Sequence, residues 1–226
     1  EAIPTGWTRM SGLLSDVFLR GDSAMTTTTG GWTYNNVVNV VGMDNPHLRV
    51  NIYGTNCKYW IISPEISMDL QPDEVAALTF KAAWTKYKAS AGDAENRIAT
   101  TSDDKFAVVI STDGGKTWKQ NDAFIWANDG TGNRGMVDDI PYTAVTITIP
   151  LGDYVGQRIM IGYYSESTVS GGDNDFRISD IRIGAIDASC QGMSKLNAVA
   201  TSSTTGEIEW TAGGTQQAYI KVTNAA

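Results

Sequence analysis

Apolar and polar residues alternate in several short runs along the chain. Residues 78–84, 145–149 and 159–163 each place alternate apolar side chains on one face, which is the period of a β-strand. Residues 106–110 form a continuous apolar run of a length typical of a strand buried on both faces. Clusters of Gly, Asn, Asp and Ser separate these runs, and no segment carries a sustained amphipathic-helix pattern. Short strands divided by turns predict an all-β sandwich or barrel.

Composition and charge narrow the class of partner. Hydrophobic residues make up 42% and charged residues 19% of the 226 residues, as in a folded globular chain. No apolar run approaches the ~20 residues of a membrane span, so we expect no membrane insertion. The net charge of −8 repels phosphate backbones, which argues against nucleic acid and is compatible with cations or neutral sugars. No signal peptide is visible, because the sequence opens on Glu1, so we expect that any targeting segment was cut off or is left out of this sequence.

The sequence pattern changes near residues 186–195, which predicts a domain boundary there. We predict one domain over residues 1–187, a linker over 188–195, and a β segment over 196–226 that resembles the opening strands of a fibronectin type III domain. Such a domain needs about 100 residues, so the tail is either a truncated second domain or an extra strand pair on the first. Cys57 and Cys190 are either two buried thiols or one disulfide, and only an oxidising compartment permits the disulfide.

Residues 111–118 match the pattern Ser-x-Asp-x-Gly-x-Thr-Trp, known as the Asp box. We expect a hairpin turn in which Asp113 accepts backbone N–H bonds and Trp118 packs beneath. Sialidase propellers repeat this motif on successive blades, whereas this chain carries one copy. The motif therefore indicates a structural turn.

The chain shows no constellation that indicates catalysis, and we expect no enzyme activity. Its one histidine, His47, lies beside Asn45 and Pro46 without a nucleophile motif to support a triad. The carboxylate pairs at residues 103–104 and 138–139 are adjacent in sequence, so neither supplies two carboxyl groups to one face.

Three aromatic residues in loop-like sequence are candidate sugar-binding residues: Trp32, Tyr34 and Trp126. An aromatic ring can stack on the apolar face of a sugar, but the core of a sandwich also uses tryptophan. Both interpretations stay open for these positions.

Asp180 is a candidate metal ligand. Strict alternation would put Asp180 on the inward face with Phe176 and Ile178, unless a bulge before Ile181 re-aims it. An inward carboxylate needs a cation, an arginine or several backbone amides to offset its desolvation. Calcium is one such cation.

An ordered set of elements resembles the cleaved-adhesin and choice-of-anchor J domains. These elements include the Pro-Thr-Gly-Trp opening, a Trp-Ile-Ile-Ser-Pro element and a closing Phe-Arg-Ile-Ser-Asp-Ile strand, and they are residues 3–7, 60–66, 78–82, 106–118, 149–161 and 176–183. The resemblance implies a MAM-like, concanavalin-like antiparallel jelly-roll β-sandwich within a larger secreted or cell-surface bacterial protein. It also implies possible structural calcium, with Glu1, Asp175 and Asp180 as candidate ligands, although Ser179 replaces one acidic residue of the closing pair.

We therefore expect a non-catalytic extracellular binding module that acts in cell adhesion or carbohydrate binding. Its partners would be a glycan or a host or surface protein, together with other domains of the same protein. Two alternatives stay open: a structural spacer, and a fragment related to glycoside hydrolases or sialidases.

Overall fold

The structure is a computed structural model that describes residues 3–35, 37–70, 75–88, 91–98, 103–127, 140–169, 171–186, 194–200 and 206–211. The strands in chain order are β1 (Thr8–Ser11), β2 (Thr26–Thr27), β3 (Thr33–Asn35), β4 (Val38–Asn39), β5 (His47–Ile52), β6 (Cys57–Ile62), β7 (Ile66–Ser67), β8 (Val75–Lys86), β9 (Gly92–Asp93), β10 (Lys105–Ser111), β11 (Ala123–Ala127), β12 (Val145–Pro150), β13 (Arg158–Ser167), β14 (Asn174–Ile186), β15 (Ser194–Ala200) and β16 (Gly206–Thr211). The described helices are α1 (Leu14–Arg20) and the 3-10 turns Gly21–Ala24, Gln120–Asp122 and Gly152–Tyr154.

Two antiparallel sheets form the body of the molecule. The first sheet has the order β11-β10-β13-β6-β1-β2, with β7 also paired to β13. The second sheet has the order β12-β8-β14-β5-β3. Successive strands cross between the sheets, as β5 and β6 do and as β11, β12, β13 and β14 do in turn. This architecture confirms the predicted all-β antiparallel jelly-roll sandwich.

The core lies between the inward faces of the two sheets. The predicted run at 78–84 lies in β8, and its even-numbered side chains are buried there, with Phe80 against Phe106 of β10 and Trp84 against Phe176 of β14. Phe106 of β10 stacks on Phe176 of β14 with ring centroids 3.8 Å apart, which joins the sheets at the centre. The alternating runs at 145–149 and 159–163 lie in β12 and β13, as predicted.

The outer face of the first sheet carries a second apolar cluster. Alternate residues of β10 leave the core, so that Ala107 and Val109 are buried on this outer face, and the strand is buried on both sides as predicted. Helix α1 covers the cluster with Leu14 and Val17. This helix is not predicted from the sequence pattern, because its seven residues are too few to show a helical period.

Some expectations concern residues that lie partly or wholly outside the described segments. Strands β15 and β16 pair with each other in antiparallel fashion, and the predicted domain boundaries stay a prediction. Cys57 is buried, whereas Cys190 is not among the described residues, so the disulfide stays a prediction. Within the described part of the chain, no helix is long and apolar enough to cross a membrane.

Candidate functional site

A cavity of about 250 Å³ brings together residues from the chain's opening turn and the second sheet. We call it the aromatic cavity, because Trp7 and Tyr34 line it. The hydroxyl group of Ser179 and the carboxylate of Asp180 belong to the same lining. The rest of its lining is His47 and the apolar residues Pro4, Pro46, Leu48, Ile178 and Ile181. Apolar walls with a few convergent polar groups are typical of a small-ligand site.

The opening turn of the chain positions Trp7. The Trp7 amide donates to the Pro4 carbonyl oxygen at 3.2 Å, and Gly6 adopts a φ of 85° in this turn. This left-handed conformation favours glycine, because a Cβ would be strained there. The Trp7 ring lies 5.9 Å from the Tyr163 ring, between centroids, and stays half-buried. One side of the indole is thus held by the core while the residue still reaches the cavity.

Tyr34 and Asp180 reach the cavity from the second sheet. Tyr34 pairs with Leu48 across β3 and β5, so both side chains lie on the same face. The pairing of β14 with β8 shifts register between Ser179 and Arg182, which confirms the bulge that the sequence left open. Asp180 has a φ of 51° within this bulge, and the bulge brings its carboxylate within 3.0 Å of Lys81 Nζ.

The carboxylate of Asp180 is ionised at neutral pH. The hydrogen bond from Lys81 and the charge of that ammonium lower the pKa of Asp180, and the Ser179 hydroxyl, at 3.3 Å, lowers it further. The side chain keeps 28% of its surface exposed. Asp180 can therefore accept hydrogen bonds from a ligand.

His47 is a neutral part of the cavity wall. Its Nε2 accepts a hydrogen bond from Arg177 Nη1 at 2.8 Å, since a guanidinium can only donate. Burial lowers the pKa of His47 to about 4, and the charges of Arg177 and Arg49 lower it as well, against the opposing hydrogen bond to the Asp44 backbone.

Asp175 belongs to the buried polar network behind this wall, not to the cavity lining. Its carboxylate accepts from Arg49 at 2.6 Å, from Arg177 at 2.7 Å and from Asn51 at 3.1 Å. Asp175 and Arg177 are fully buried. A donor set of guanidinium and amide N–H groups does not fit a calcium ion, which takes oxygen ligands. The arginines supply the compensation that an inward carboxylate requires.

Of the other two candidate calcium ligands, Asp180 is among the described residues and Glu1 is not. Glu1 lies outside the described residues, and Asp180 contacts the Lys81 ammonium. Across the described segments, no group of three or more His, Cys, Asp or Glu side chains is placed to hold a metal ion. One carboxylate beside one ammonium does not make a calcium site, so the calcium prediction depends on Glu1.

Two of the three candidate sugar-binding aromatics lie in the core. Trp32 is 0% exposed, and its Nε1 donates to the Tyr59 carbonyl oxygen at 3.2 Å. Trp126 is buried with its ring 5.4 Å from that of Phe106, between centroids. Both tryptophans therefore serve core packing, and neither offers a ring face to a ligand. Tyr34 alone of the three lines the aromatic cavity.

The Asp box forms the expected structural turn after β10. Asp113 Oδ1 accepts from the Thr117 amide at 2.9 Å and from the Ser111 hydroxyl at 2.8 Å, while Oδ2 accepts from the Thr117 hydroxyl at 2.7 Å. Slight burial raises the pKa of Asp113, but these hydrogen bonds outweigh it and bring the pKa to about 2. Trp118 is buried beneath the turn and packs on Trp60.

Comparison with known proteins gives structural likenesses at low sequence identity. No protein-family model and no curated protein matches the chain. The K1 cleaved adhesin domain of Lys-gingipain from Porphyromonas gingivalis W83 is 13% identical over 82% of this chain and 94% of that chain, with a TM-score of 0.44. The family 11 carbohydrate-binding module from Clostridium thermocellum, in complex with a β-1,3-1,4-mixed-linked tetrasaccharide, is 12% identical over 83% and 93%, with a TM-score of 0.41.

A third solved structure is the enzymatically active domain of bacteriophage CBA120 tailspike protein 4. It is 15% identical over 80% of this chain, with a TM-score of 0.43, and this chain spans 20% of its length. None of the three reaches a TM-score of 0.5. The functional assignment of this chain therefore rests on its own residues.

Proposed function

We propose that this chain is a non-catalytic binding module that holds a carbohydrate in the aromatic cavity. The observation that carries the proposal is the meeting of two half-buried aromatic side chains, Trp7 and Tyr34, with the ionised carboxylate of Asp180 in one cavity. The resemblance of the sequence to secreted adhesin domains supports a setting at a cell surface or outside the cell, within a larger protein.

The side chains of the cavity match both the apolar C–H surface and the hydroxyl groups of a sugar ring. The rings of Trp7 and Tyr34 supply apolar surface for the C–H face of the sugar. The Asp180 carboxylate accepts hydrogen bonds from sugar hydroxyls, and the Ser179 hydroxyl oxygen, whose hydrogen is donated to Asp180, can accept as well. The volume of the aromatic cavity, about 250 Å³, lies below the roughly 300–1,000 Å³ of drug-sized sites, so we expect the bound carbohydrate to be short.

The described lining of the cavity holds one carboxylate, which supports binding over glycosidic cleavage. Hydrolysis of a glycosidic bond uses a pair of carboxyl groups on either side of the bond. Asp180 is the only Asp or Glu in the lining that the structure describes. Its low pKa also keeps it from acting as a general acid at neutral pH.

A glycan array probed with the wild type and two variants tests this proposal. We expect Tyr34→Ala and Asp180→Asn each to weaken binding of the selected glycan by about tenfold, because each removes a direct contact. Tyr53→Ala is the matched control for the tyrosine, since Tyr53 is 54% exposed and lies outside the cavity lining. Asp16→Asn is the control for the carboxylate, because it also removes a surface ion pair, with Arg20. If the two test variants bind the glycan as tightly as the two control variants and the wild type, or if the wild type binds no glycan, the proposal is contradicted and the spacer alternative is favoured.

Calcium is a separate part of the proposal and rests on the resemblance, with Glu1 and Asp180 as candidate ligands. An ion that binds only the folded state raises its stability, so we expect added Ca²⁺ to raise the Tm of the wild type and not that of Asp180→Asn. An equal wild-type Tm in Ca²⁺ and in EDTA would remove calcium from the proposal and leave the glycan part standing.

A further inference from the structure

The bulge in β14 gives Asp180 an unusual backbone conformation. The register of β14 with β8 runs as far as Ser179, which lies opposite Lys81, and resumes at Arg182, so Asp180 has no partner in the ladder. Its φ of 51° is the one positive φ outside glycine in the part of the chain that the structure describes. Aspartate tolerates this left-handed conformation better than most residues, and such conformations are concentrated at functional sites. The ladder does not fix the direction of this carboxylate, so its side-chain contacts must.

Two donors hold one oxygen of the Asp180 carboxylate and leave the other oxygen free. Lys81 Nζ lies 3.0 Å from Asp180 Oδ2, and the Ser179 hydroxyl donates to the same Oδ2 at 3.3 Å. Asp180 Oδ1 has no hydrogen-bond partner among the described residues. Because Asp180 lines the aromatic cavity and is partly exposed, Oδ1 is the oxygen that can accept hydrogen bonds from a ligand.

Lys81 acts on this carboxylate from outside the aromatic cavity. It is not among the residues that line the cavity. It lies on β8, which pairs with β14 on one side and with β12 on the other, so its backbone is fixed by two neighbouring strands. An ion pair between partly exposed groups contributes little to the stability of a fold. The larger effect of Lys81 should therefore be on the direction of the Asp180 carboxylate.

We propose that Lys81 is a positioning residue of the carbohydrate site. Its ammonium group, together with the Ser179 hydroxyl, holds Oδ2 of Asp180 so that Oδ1 accepts from a sugar hydroxyl in the aromatic cavity. This inference rests on the proposed function, because it assigns Lys81 a role at the same site. An acceptor held in one place favours a sugar with a hydroxyl group at that place over the analogue without it.

Calorimetric titration of the full chain with a short oligosaccharide tests this inference. The probe is the one that gives the wild type its strongest signal on the glycan array, and EDTA keeps divalent ions away from Asp180. We expect Lys81→Met to bind about fivefold more weakly at an almost unchanged Tm. Lys81→Arg should stay within about twofold of the wild type, because a guanidinium group also donates to a carboxylate.

Lys86→Met is the matched control. Lys86 lies on the same strand and also forms an ion pair, with Glu95 at 3.3 Å, but it does not line the aromatic cavity. This variant should bind the oligosaccharide as tightly as the wild type.

A double-mutant cycle separates positioning from a general effect on the fold. In the Asp180→Asn background, Lys81→Met should cause less than about a twofold further loss, because no carboxylate remains for the ammonium to orient. Asparagine tolerates the left-handed conformation, so this background should fold. In a series of monodeoxy analogues, the analogue that lacks the hydroxyl bound by Oδ1 should bind the wild type and Lys81→Met alike.

Three results would overturn the role of Lys81 and leave the carbohydrate proposal standing. The first is wild-type affinity in Lys81→Met while Asp180→Asn binds weakly. The second is an equal loss from Lys81→Met with and without the Asp180 carboxylate. The third is a loss in Lys81→Arg as large as that in Lys81→Met. A wild type that binds no oligosaccharide would instead contradict the carbohydrate proposal itself, and the role of Lys81 with it.

Discussion

His47 combines complete burial with two cationic neighbours. Its Nε2 accepts from Arg177, and Arg49 lies on the same strand two residues away, while Asp175 accepts from both arginines. One carboxylate thus balances two guanidinium groups, and a proton on His47 would add a third positive charge to the network. The Nε2 lone pair would also be lost, so protonation breaks the hydrogen bond from Arg177. The neutral imidazole is therefore part of the folded state.

The titration of His47 should be shifted and should limit acid stability. The pKa is lowered from 6.5 to about 4, so the unfolded chain takes up a proton at a higher pH than the folded chain. The free energy of unfolding should fall as the pH drops from 6.5 to 4, by about 3 kcal/mol in total. NMR of the imidazole C–H signals measures the pKa directly, because the chain has one histidine. A midpoint near 6.5 in the folded protein would contradict the buried contact with Arg177.

The Asp-box turn shows how a short element is held by one side chain. Asp113 is exposed, yet both of its carboxylate oxygens accept hydrogen bonds from Thr117 or Ser111. The turn also reaches another element, because the Asp22 amide donates to the Lys116 carbonyl oxygen at 2.9 Å. Its role in this chain is to shape the segment between β10 and β11.

Replacement of Asp113 by alanine should destabilise the fold by about 1–2 kcal/mol at neutral pH, because Thr117 and Ser111 lose their acceptor. The folded-state pKa of about 2 lies below the ordinary 3.8. Asp113 therefore contributes its full stabilisation of the folded state above pH 3.8, and this stabilisation is lost as the pH falls through about 2. Denaturant unfolding of the variant and the wild type at several pH values measures it. Glu95→Ala, which removes only exposed contacts to Lys86 and Lys88, is the control and should have little effect. A stability gap that persists below pH 2 would contradict this account.

Helix α1 is held by packing and not by its own propensity. It has no side-chain cap at its beginning, and its seven residues are too few to be stable alone. Val17→Ala should therefore cost about 2 kcal/mol, because Val17 is fully buried against the outer face of the first sheet. Leu19→Ala on the same helix is exposed and should cost far less. Thermal unfolding compares the two variants, and equal losses of stability would show that α1 does not pack as described.

The strands could be predicted from sequence because their period is local. Residues 78–84 show the alternation of β8, and residues 106–110 show a strand buried on both faces, as in β10. The direction of single side chains near turns could not be predicted, because it depends on partners far along the chain. Trp32 lies in loop-like sequence and yet donates to Tyr59 in the core. In the sequence, Trp7 stands out only as part of the Pro-Thr-Gly-Trp opening, and its place in the aromatic cavity depends on β3 and β14.

Over the whole molecule, the aromatic cavity and the cavity beside α1 lie against different sheets of the sandwich. The aromatic cavity joins the opening turn to the second sheet, whereas Leu14 of α1 and Ile125 of the first sheet line the other cavity. The two sheets are joined between them by the stacked rings of Phe106 and Phe176.

NMR of the tryptophan indole N–H signals during titration with the array-selected glycan tests whether the aromatic cavity binds carbohydrate. We expect the Trp7 indole signal and the Tyr34 and Asp180 amide signals to shift with one common affinity. The indole signals of Trp32 and Trp126, which are buried in the core, should stay nearly constant. Shifts confined to residues outside the aromatic cavity, with Trp7 unchanged, would contradict the assignment of this cavity as the carbohydrate site.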